Sequence, residues 1–384
     1  MTTRARACTT SSVGTRLRRA VELLRARADA LAFLVRLAAA VALHRRSAAR
    51  CFCFAVSRNK HAAVRAEHPA ARIVSCRIHK VGDGYAEQPA FVRRAARRLV
   101  RAAHAAGMPI AVWGYADRLA LGVDFAGDAP VERLERAVWG PPVDSDAPVF
   151  AYVLDRGAPY FDGRRATDLE RAAETVGDAE LAEDDALLDR LLAGRFQKYA
   201  GLGGDLAVDL GPEDLVIAGQ CVGDAAWIET DALVEDNVAL VLAAVADIPA
   251  RRVFYKPHPF NRTKAADRER LAAVPGLVQL DPATAFAAIV ERRPKIAVAT
   301  SGAGLEAAVR GCEVHTFGTS FYSHRGFTVD RTVCDRRRRR LDARAMLAVT
   351  LFHYTRYADR AAGRALAARE AVERILGAPA GGRP

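Results

Sequence analysis

Short apolar runs alternate with longer stretches of helical periodicity from residue 51 onward. The first series predicts buried strands at 51–56, 72–76, 109–114 and 149–155. The segment 88–107, QPAFVRRAARRLVRAAHAAG, carries apolar residues at helical spacing and ends on a glycine, so it predicts a helix.

A second series of apolar runs follows the glycine-rich GLGG at 201–204. Its predicted strands lie at 215–219, 252–256, 277–281, 295–300 and 313–318, separated by predicted helices near 233–247, 264–274, 283–292 and 303–310. Strands that alternate with helices indicate parallel sheets joined by right-handed crossovers. The predicted fold class is therefore α/β with two Rossmann-like domains, and the expected ligand site lies at the carboxyl ends of the strands, between the lobes.

This pattern divides the chain into four expected parts. They are a basic, partly apolar helical leader at 1–50, a Rossmann-like domain at 51–204, a second at 205–345, and C-terminal helices with a short tail at 346–384. The arginine run RRRRR at 336–340 is expected to be a solvated face beside the final helices.

The leader holds most of the excess positive charge. Of a net charge of +12, residues 1–50 contribute +9, through eleven arginines against Glu22 and Asp29. The remaining 334 residues are nearly neutral, which argues against a nucleic-acid-binding surface. The apolar stretch at 30–43 is too short to span a bilayer, which needs about 20 residues. Three alternatives stay open for the leader: an arginine-flanked helix on an anionic membrane surface, a helix packed on the body, or a start codon assigned too early.

The seven cysteines form no CxxC pair and no metal-ligand spacing. An odd number of cysteines in a chain of this length is typical of reduced thiols, so we expect a cytoplasmic protein.

Two strand-to-loop transitions of the second series carry candidate chemistry. YKPHPF at 255–260 places Lys256 and His258 beside Pro259, directly after a predicted strand. KIAVATSGAGLEAAVRG at 295–311 runs from a strand through a small-residue turn into a helix that contains Glu306; the turn residues are Thr300, Ser301, Gly302, Ala303 and Gly304. Small residues allow a close approach of the backbone, and a helix start offers free N–H groups to an anion. Together the two transitions predict a phosphate or nucleotide site.

The second half of the chain resembles the KpsC-type capsule polysaccharide family, the retaining β-Kdo transferases of capsule assembly. The resemblance runs through GQCVGDAAWI, VFYKPHP, ATSGAGLEA, TFGTSFYSHRGFTVD and RRRRRLDARAMLAVTLFHYTRYADR, at 219–228, 253–259, 299–307, 316–330 and 336–360. The first half matches more faintly at 112–114, 153–170 and 197–201.

This resemblance implies a GT-B-like enzyme that transfers β-Kdo or a related sugar from a CMP-sugar, without a cofactor or metal, to a lipid-linked acceptor at the cytoplasmic face of the inner membrane. It also implies capsule assembly and export proteins as partners. By the family motifs, His258 and Pro259 hold the cytidine monophosphate, with Ser301, Gly304, Glu306 and Gln220 on the same side. The remaining positions that match the family are Asp224 at a strand end and Lys198 and Tyr199 near the cleft. The loop residues His324 and Arg325 stand where the family usually has small or aromatic residues, and they are candidate cleft residues.

The chain departs from the family pattern where the catalytic acid is expected. The family shows Leu-Glu-Asp-Gly-Phe, whereas this chain has Leu134-Glu135-Arg136 at the matching distance, so a guanidinium replaces the aspartate. Two further family positions, an asparagine and a serine, are Ala200 and Ala226 here. Two interpretations follow: Glu135 or Asp224 takes the catalytic role, or the fold binds the nucleotide without transfer and acts as an assembly or regulatory partner in capsule export.

Overall fold

The computed structural model describes residues 10–44, 49–81, 84–193, 204–261 and 264–377. The chain divides into two compact units, Met1–Glu135 and Arg136–Pro384. The domain boundary predicted near residue 204 adjoins residues 194–203, which lie outside the described part of the chain, so the four-part division stays a prediction.

The first unit contains a parallel sheet flanked by helices. Its strand order is β2-β1-β3-β4, and each neighbouring pair is parallel. Its elements are α1 (Thr10–His44), β1 (Arg50–Phe54), a 3-10 turn (Arg58–Lys60), α2 (His61–Glu67), β2 (Arg72–Cys76), α3 (Ala90–Ala105), β3 (Ile110–Trp113), α4 (Ala116–Leu121), a 3-10 turn (Phe125–Gly127) and β4 (Glu132–Arg136). The predicted strands at 51–56, 72–76 and 109–114 and the predicted helix at 88–107 are confirmed within a few residues.

Strand β4 has no counterpart among the predicted strands. Its sequence, ERLER, has four charged residues in five, yet Arg133 is completely buried. The guanidinium of Arg133 is bonded to Asp117 at 2.8 Å, to Asp124 at 2.7 Å and to the carbonyl oxygen of Gly114 at 2.7 Å. Because these partners replace water around the charge, a sequence that looks like a surface loop becomes an interior strand.

The N-terminal helix packs on the first sheet along one of its sides. Ala26, Ala30, Phe33 and Leu37 are buried there, and the ring of Phe33 lies 5.2 Å from that of Phe54. The alternative of a helix packed on the body is therefore confirmed for this side of α1. Within the described residues, no helix combines the length and the apolar character that crossing a bilayer requires.

The second unit contains a six-stranded parallel sheet with the order β11-β10-β9-β6-β7-β8. The elements that build and cover this sheet are β6 (Leu215–Ala218), α8 (Ala225–Ile228), α9 (Asn237–Asp247), β7 (Val253–Lys256), α10 (Lys264–Leu271), β8 (Leu277–Gln279), α11 (Phe286–Val290), β9 (Lys295–Val298), α12 (Ala303–Ala308), β10 (Val314–Thr316) and β11 (Val329–Asp330). Counted along the chain from β6, the spatial order is 3-2-1-4-5-6, the dinucleotide-binding Rossmann arrangement. The α/β fold class with parallel sheets is confirmed.

The rest of the second unit combines helices with an antiparallel set of strands. Its elements are β5 (Val149–Arg156), α5 (Asp168–Thr175), α6 (Asp178–Ala182), α7 (Asp185–Ala193), α13 (Ala343–Ala348), a π-helix (Val349–Tyr354), β12 (Arg356–Asp359), β13 (Arg364–Leu366) and α14 (Ala368–Gly377). Thr167 caps α5 by accepting a hydrogen bond from the backbone N–H of Glu170 at 3.1 Å.

The C-terminal helices are present, but a helical assignment of the whole region is wrong at β12 and β13. Strand β12 pairs antiparallel with both β5 and β13. The turn between β12 and β13 contains Gly363 at φ 61°, a conformation that glycine adopts without strain. The alanine-rich sequence imitates a helix there, while burial of Tyr357 in the sheet decides the local structure.

The arginine run at 336–340 is only partly a solvated face. Arg337 is buried and donates to Glu170 at 2.8 Å, and Arg336 donates to the same carboxylate at 3.2 Å. Arg339 is half-buried and pairs with Asp178. These ion pairs attach the arginine run to α5 and α6, whereas Arg338 and Arg340 are exposed as predicted.

Candidate functional site

The second sheet has its topological switch point between β6 and β9, where the strand order reverses. Ligands of open α/β sheets bind outside the carboxyl ends of the strands at such a point. Gln220 follows β6 and Thr300 follows β9, and both side chains are buried. The amide Nε2 of Gln220 lies 3.2 Å from the Thr300 hydroxyl, while its Oε1 accepts from the Thr300 backbone N–H at 3.3 Å. Two motifs that the sequence places 80 residues apart therefore form one structure.

A buried polar chain supports Gln220 from behind. Asn237, at the start of α9, accepts from the Gln220 backbone N–H at 2.9 Å and donates to its carbonyl oxygen at 3.0 Å. The amide of Asn237 also donates to Asp267 at 3.1 Å, and Asn261 donates to the same carboxylate at 2.9 Å. These bonds fix the loop after β6 to the loop after β7.

His258 lies in the loop after β7 and contacts the residue that follows Gln220. Its Nδ1 is 3.2 Å from the Cys221 sulfur and accepts a hydrogen bond from the Phe260 backbone N–H at 3.2 Å. A backbone N–H can only donate, so Nδ1 is an acceptor and Nε2 carries the proton of the neutral ring. The ring therefore presents an Nε2–H donor, the group that a phosphate oxygen accepts from.

Lys256 ends β7 with a buried ammonium group. Its Nζ donates to the carbonyl oxygens of Pro282 at 2.7 Å and Pro257 at 3.2 Å, which ties the loop after β8 to the loop after β7. Burial lowers the pKa of Lys256 to about 8, although the Asp281 carboxylate acts in the opposite direction. Lys256, a predicted anion ligand, therefore holds two loops together in the structure. These two bonds use two of the three N–H donors of the ammonium group.

The small-residue turn after β9 is shaped by Tyr322. The Tyr322 hydroxyl donates to the Ser301 carbonyl oxygen at 2.7 Å, and a Cβ at Gly304 would overlap the phenol. The Ser301 hydroxyl accepts from the Ala303 backbone N–H at 3.2 Å, at the start of α12. Glycine at 304 is therefore required by packing, whatever binds nearby.

Glu306 lies in the first turn of α12 and is buried. Arg310 approaches its carboxylate at 3.9 Å and donates to its carbonyl oxygen at 3.0 Å. The structure therefore places Glu306 on α12, the short helix that follows the turn at Ser301, as the sequence predicts.

The two candidate catalytic carboxylates lie in different units. Asp224 is exposed after β6 and caps α8, where its Oδ1 accepts from the Ala225 backbone N–H at 2.7 Å. Glu135 lies on β4, the last strand of the first unit. The neighbouring Arg136, at the position where the sequence resemblance leads one to expect an aspartate, donates to Asp144 at 2.5 Å.

Of the four predicted cleft residues, two lie outside the described part of the chain and two lie within it. Lys198 and Tyr199 lie outside the described residues. The ring nitrogens of His324 bond within its own loop, to the Ser323 hydroxyl at 2.9 Å and the Thr332 carbonyl oxygen at 2.8 Å. Arg325 is completely buried and paired with Glu174, and burial lowers its pKa. A cleft role for these four residues stays a prediction.

Sequence reasoning missed three residues that shape the site: Cys221, Asn237 and Tyr322. Cys221 had a local signal, since it directly follows Gln220. Asn237 and Tyr322 had none, because their contacts depend on how distant loops meet. Within the described residues, no group of three or more His, Cys, Asp or Glu side chains is placed to hold a metal ion.

The chain is similar to known proteins of capsule polysaccharide biosynthesis. Residues 212–357, which include the whole switch-point site, match the family described as capsule polysaccharide biosynthesis protein. Two solved structures of Thermosulfurimonas dismutans KpsC, a β-Kdo 2,7 transferase and a β-Kdo 2,4 transferase, superpose with TM-scores of 0.64 and 0.60. Each superposition covers 85% of this chain and 98% of the other, at 19% and 17% identity.

The chain is related to the KpsC-type capsule polysaccharide family. Curated relatives point the same way. The lipopolysaccharide-processing protein LpsZ of Rhizobium meliloti is 26% identical over 53% of this chain and 48% of its own length. The capsule polysaccharide modification protein LipA of Neisseria meningitidis serogroup B is 26% identical over 60% of this chain and 33% of its own. The chain thus spans less than half the length of these curated relatives.

Proposed function

We propose that this protein is a glycosyltransferase of capsule polysaccharide biosynthesis. It takes β-Kdo or a related sugar from a CMP-sugar and transfers it to a lipid-linked glycan, with no metal or cofactor. The reaction takes place in the cytoplasm, at the cytoplasmic face of the inner membrane, beside capsule assembly and export proteins.

The observation that carries this proposal is the connected set of three strand ends. His258 contacts Cys221, whose neighbour Gln220 is bonded to Thr300, whose neighbour Ser301 opens the turn into α12. In this arrangement the Nε2–H of His258 and the backbone N–H groups of Ser301 and Gly302 donate to the phosphate of CMP. Glu306 accepts from the ribose hydroxyls.

Transfer with retention requires a carboxylate that attacks the anomeric carbon. The carboxylate oxygen forms a bond to that carbon while the bond to the CMP oxygen breaks, and CMP leaves with the electron pair. The acceptor hydroxyl then displaces the carboxylate from the opposite side and gives its proton to a base. Asp224 and Glu135 are the candidates for the attacking carboxylate, and Lys198 and Tyr199 are candidates for the acceptor side.

A second candidate function is a nucleotide-binding partner without transferase activity. The pairing of Arg136 with Asp144 favours it, because a guanidinium occupies the family's aspartate position and also engages a nearby carboxylate. Such a protein would regulate or assemble the capsule machinery through its CMP-sugar site.

Release of CMP from CMP-Kdo, measured with and without a glycolipid acceptor, separates the two. Acceptor-dependent release that His258→Ala lowers by about tenfold or more, while the exposed control His104→Ala leaves it unchanged, supports a transferase. Loss of release in Asp224→Asn or in Glu135→Gln identifies the attacking carboxylate. Binding of CMP without any release, including hydrolysis, contradicts transfer and leaves the second candidate. Absence of CMP binding contradicts both.

A further inference from the structure

Helix α1 carries a second apolar stripe on the side that does not pack on the sheet. Spaced alternately by four and three residues, the stripe is formed by Leu17, Val21, Leu24, Ala28, Leu31, Val35, Ala38 and Ala42. All eight residues are exposed; Leu24 is 66% and Val35 69% exposed. Five large aliphatic side chains in one line on a helix form a continuous apolar surface.

The same helix buries a parallel stripe against the first sheet. Ala26, Ala30, Phe33, Leu37 and Ala40 follow the same alternating spacing and are buried. Packing of the first unit therefore accounts for one stripe only. The exposed stripe is not needed to hold α1 in place.

Arginines line both edges of the exposed stripe. Arg18 and Arg25 each follow a stripe leucine by one residue, and Arg27 precedes Ala28 on the other edge; all three are exposed. One residue is about 100° around a helix, so these guanidinium groups flank the stripe. Of the two acids in α1, Asp29 is bonded to the His79 ring at 2.5 Å.

This charge pattern selects the occupant of the stripe. In a coiled coil of two copies, residues adjacent to the seam face the partner, and opposite charges there support pairing. The seam-flanking positions of α1 hold arginines and uncharged residues, with no acid to pair with them. An anionic lipid surface satisfies both features, because it buries the aliphatic side chains while the arginines reach the headgroups.

We propose that α1 docks this protein on an anionic phospholipid surface, lying in the plane of the interface with the Leu17–Val35 stripe inserted between flanking arginines. The buried stripe stays on the first sheet, so the unit is held at the surface without unfolding. This proposal is independent of the proposed transferase activity.

Co-sedimentation of the full chain with vesicles tests the proposal. We expect about tenfold more protein to pellet with phosphatidylcholine vesicles containing about one-third phosphatidylglycerol than with phosphatidylcholine alone, with binding weakened by salt. Leu24→Gln/Val35→Gln and Arg18→Gln/Arg25→Gln should each reduce that binding about fivefold or more. The matched controls are Leu242→Gln/Val333→Gln, which removes exposed apolar side chains elsewhere, and Arg338→Gln/Arg364→Gln, which removes two exposed charges.

The proposal is overturned if the wild-type chain binds both vesicle types equally, or if the stripe variants bind like their controls. It is also overturned if light scattering shows a dimer that Leu24→Gln/Val35→Gln separates while vesicles recruit no protein. Circular dichroism and thermal unfolding of each variant confirm that α1 remains folded, since all substituted residues are exposed.

Discussion

The Gln220 side chain holds Thr300 by two hydrogen bonds, one to its hydroxyl at 3.2 Å and one from its backbone N–H at 3.3 Å. The pair closes the switch point of the second sheet, between strands β6 and β9. Because both residues are buried, the Gln220 amide and the Thr300 hydroxyl bond to each other and not to water. The relative position of the two loops therefore depends on this pair.

Thr300→Val should lower the free energy of unfolding by about 1–2 kcal/mol, because it removes the hydroxyl while keeping the side-chain shape. The loss leaves the Gln220 amide and the Ala226 carbonyl oxygen without that partner. Urea unfolding measures the change, and Thr175→Val, at an exposed position, is the matched control. Equal stabilities of Thr300→Val and the control would show that the pair does not hold the loops.

Cys221 should be the most reactive of the described cysteines. It is the one among them that is not buried, and its sulfur lies 3.2 Å from the His258 Nδ1, which can accept a hydrogen bond from the thiol. In a Cys8→Ser background, iodoacetamide should label Cys221 about tenfold faster than the buried thiols, and bound CMP should slow that labelling. Mass spectrometry of the digested protein measures both rates. Uniform labelling of all cysteines would contradict the higher reactivity of Cys221. A labelling rate that CMP does not change would count against a nucleotide beside His258.

Lys256 should make folding stability depend on alkaline pH. Burial lowers its pKa to about 8, below the value in the unfolded chain, so between these values the unfolded chain binds more protons and stability rises with pH. We expect the wild-type chain to gain about 1 kcal/mol relative to Lys256→Met as the pH rises from about 7.5 to 9.5. Urea unfolding at both pH values gives the difference. No change in that difference would mean that the ammonium is not desolvated.

Glu170 should be the main anchor of the arginine run. Burial opposes its ionisation, but hydrogen bonds from Arg336 and Arg337 hold the pKa of Glu170 below its usual value, so its contribution to stability is lost only as the pH falls into the acid range. Glu170→Gln should cost about 3 kcal/mol at neutral pH, because it leaves the buried Arg337 without its counter-charge. Thermal and urea unfolding measure this loss against the exposed control Glu269→Gln. A cost like that of the control would mean that Arg337 is solvated after all.

The alternating pattern of the chain predicts most of the fold. Apolar runs such as 51–56 and 215–219 coincide with strands because parallel strands buried on both faces are continuously apolar. Strand β4 escapes the same reasoning, since the buried Arg133 is neutralised by Asp117, and that pairing cannot be read from a run of charged residues. The β12–β13 hairpin is hidden by alanine, which favours helices locally.

The sequence predicts which residues form the candidate site better than it predicts the contacts of their side chains. Strand ends of one parallel sheet must meet at the same edge, so Lys256, His258 and Thr300 can be grouped from sequence alone. The direction of each side chain cannot. Lys256 turns to the Pro282 carbonyl oxygen, and the contact of His258 with Cys221 depends on two loops whose course is set by the buried Asn237.

A crystal structure of the full chain with CMP tests the central claim most directly. The account predicts the CMP phosphate at the carboxyl ends of β6, β7 and β9, within hydrogen-bond reach of His258 and of the turn at Ser301. CMP bound away from these residues, or His258 facing away from an ordered phosphate, would contradict it.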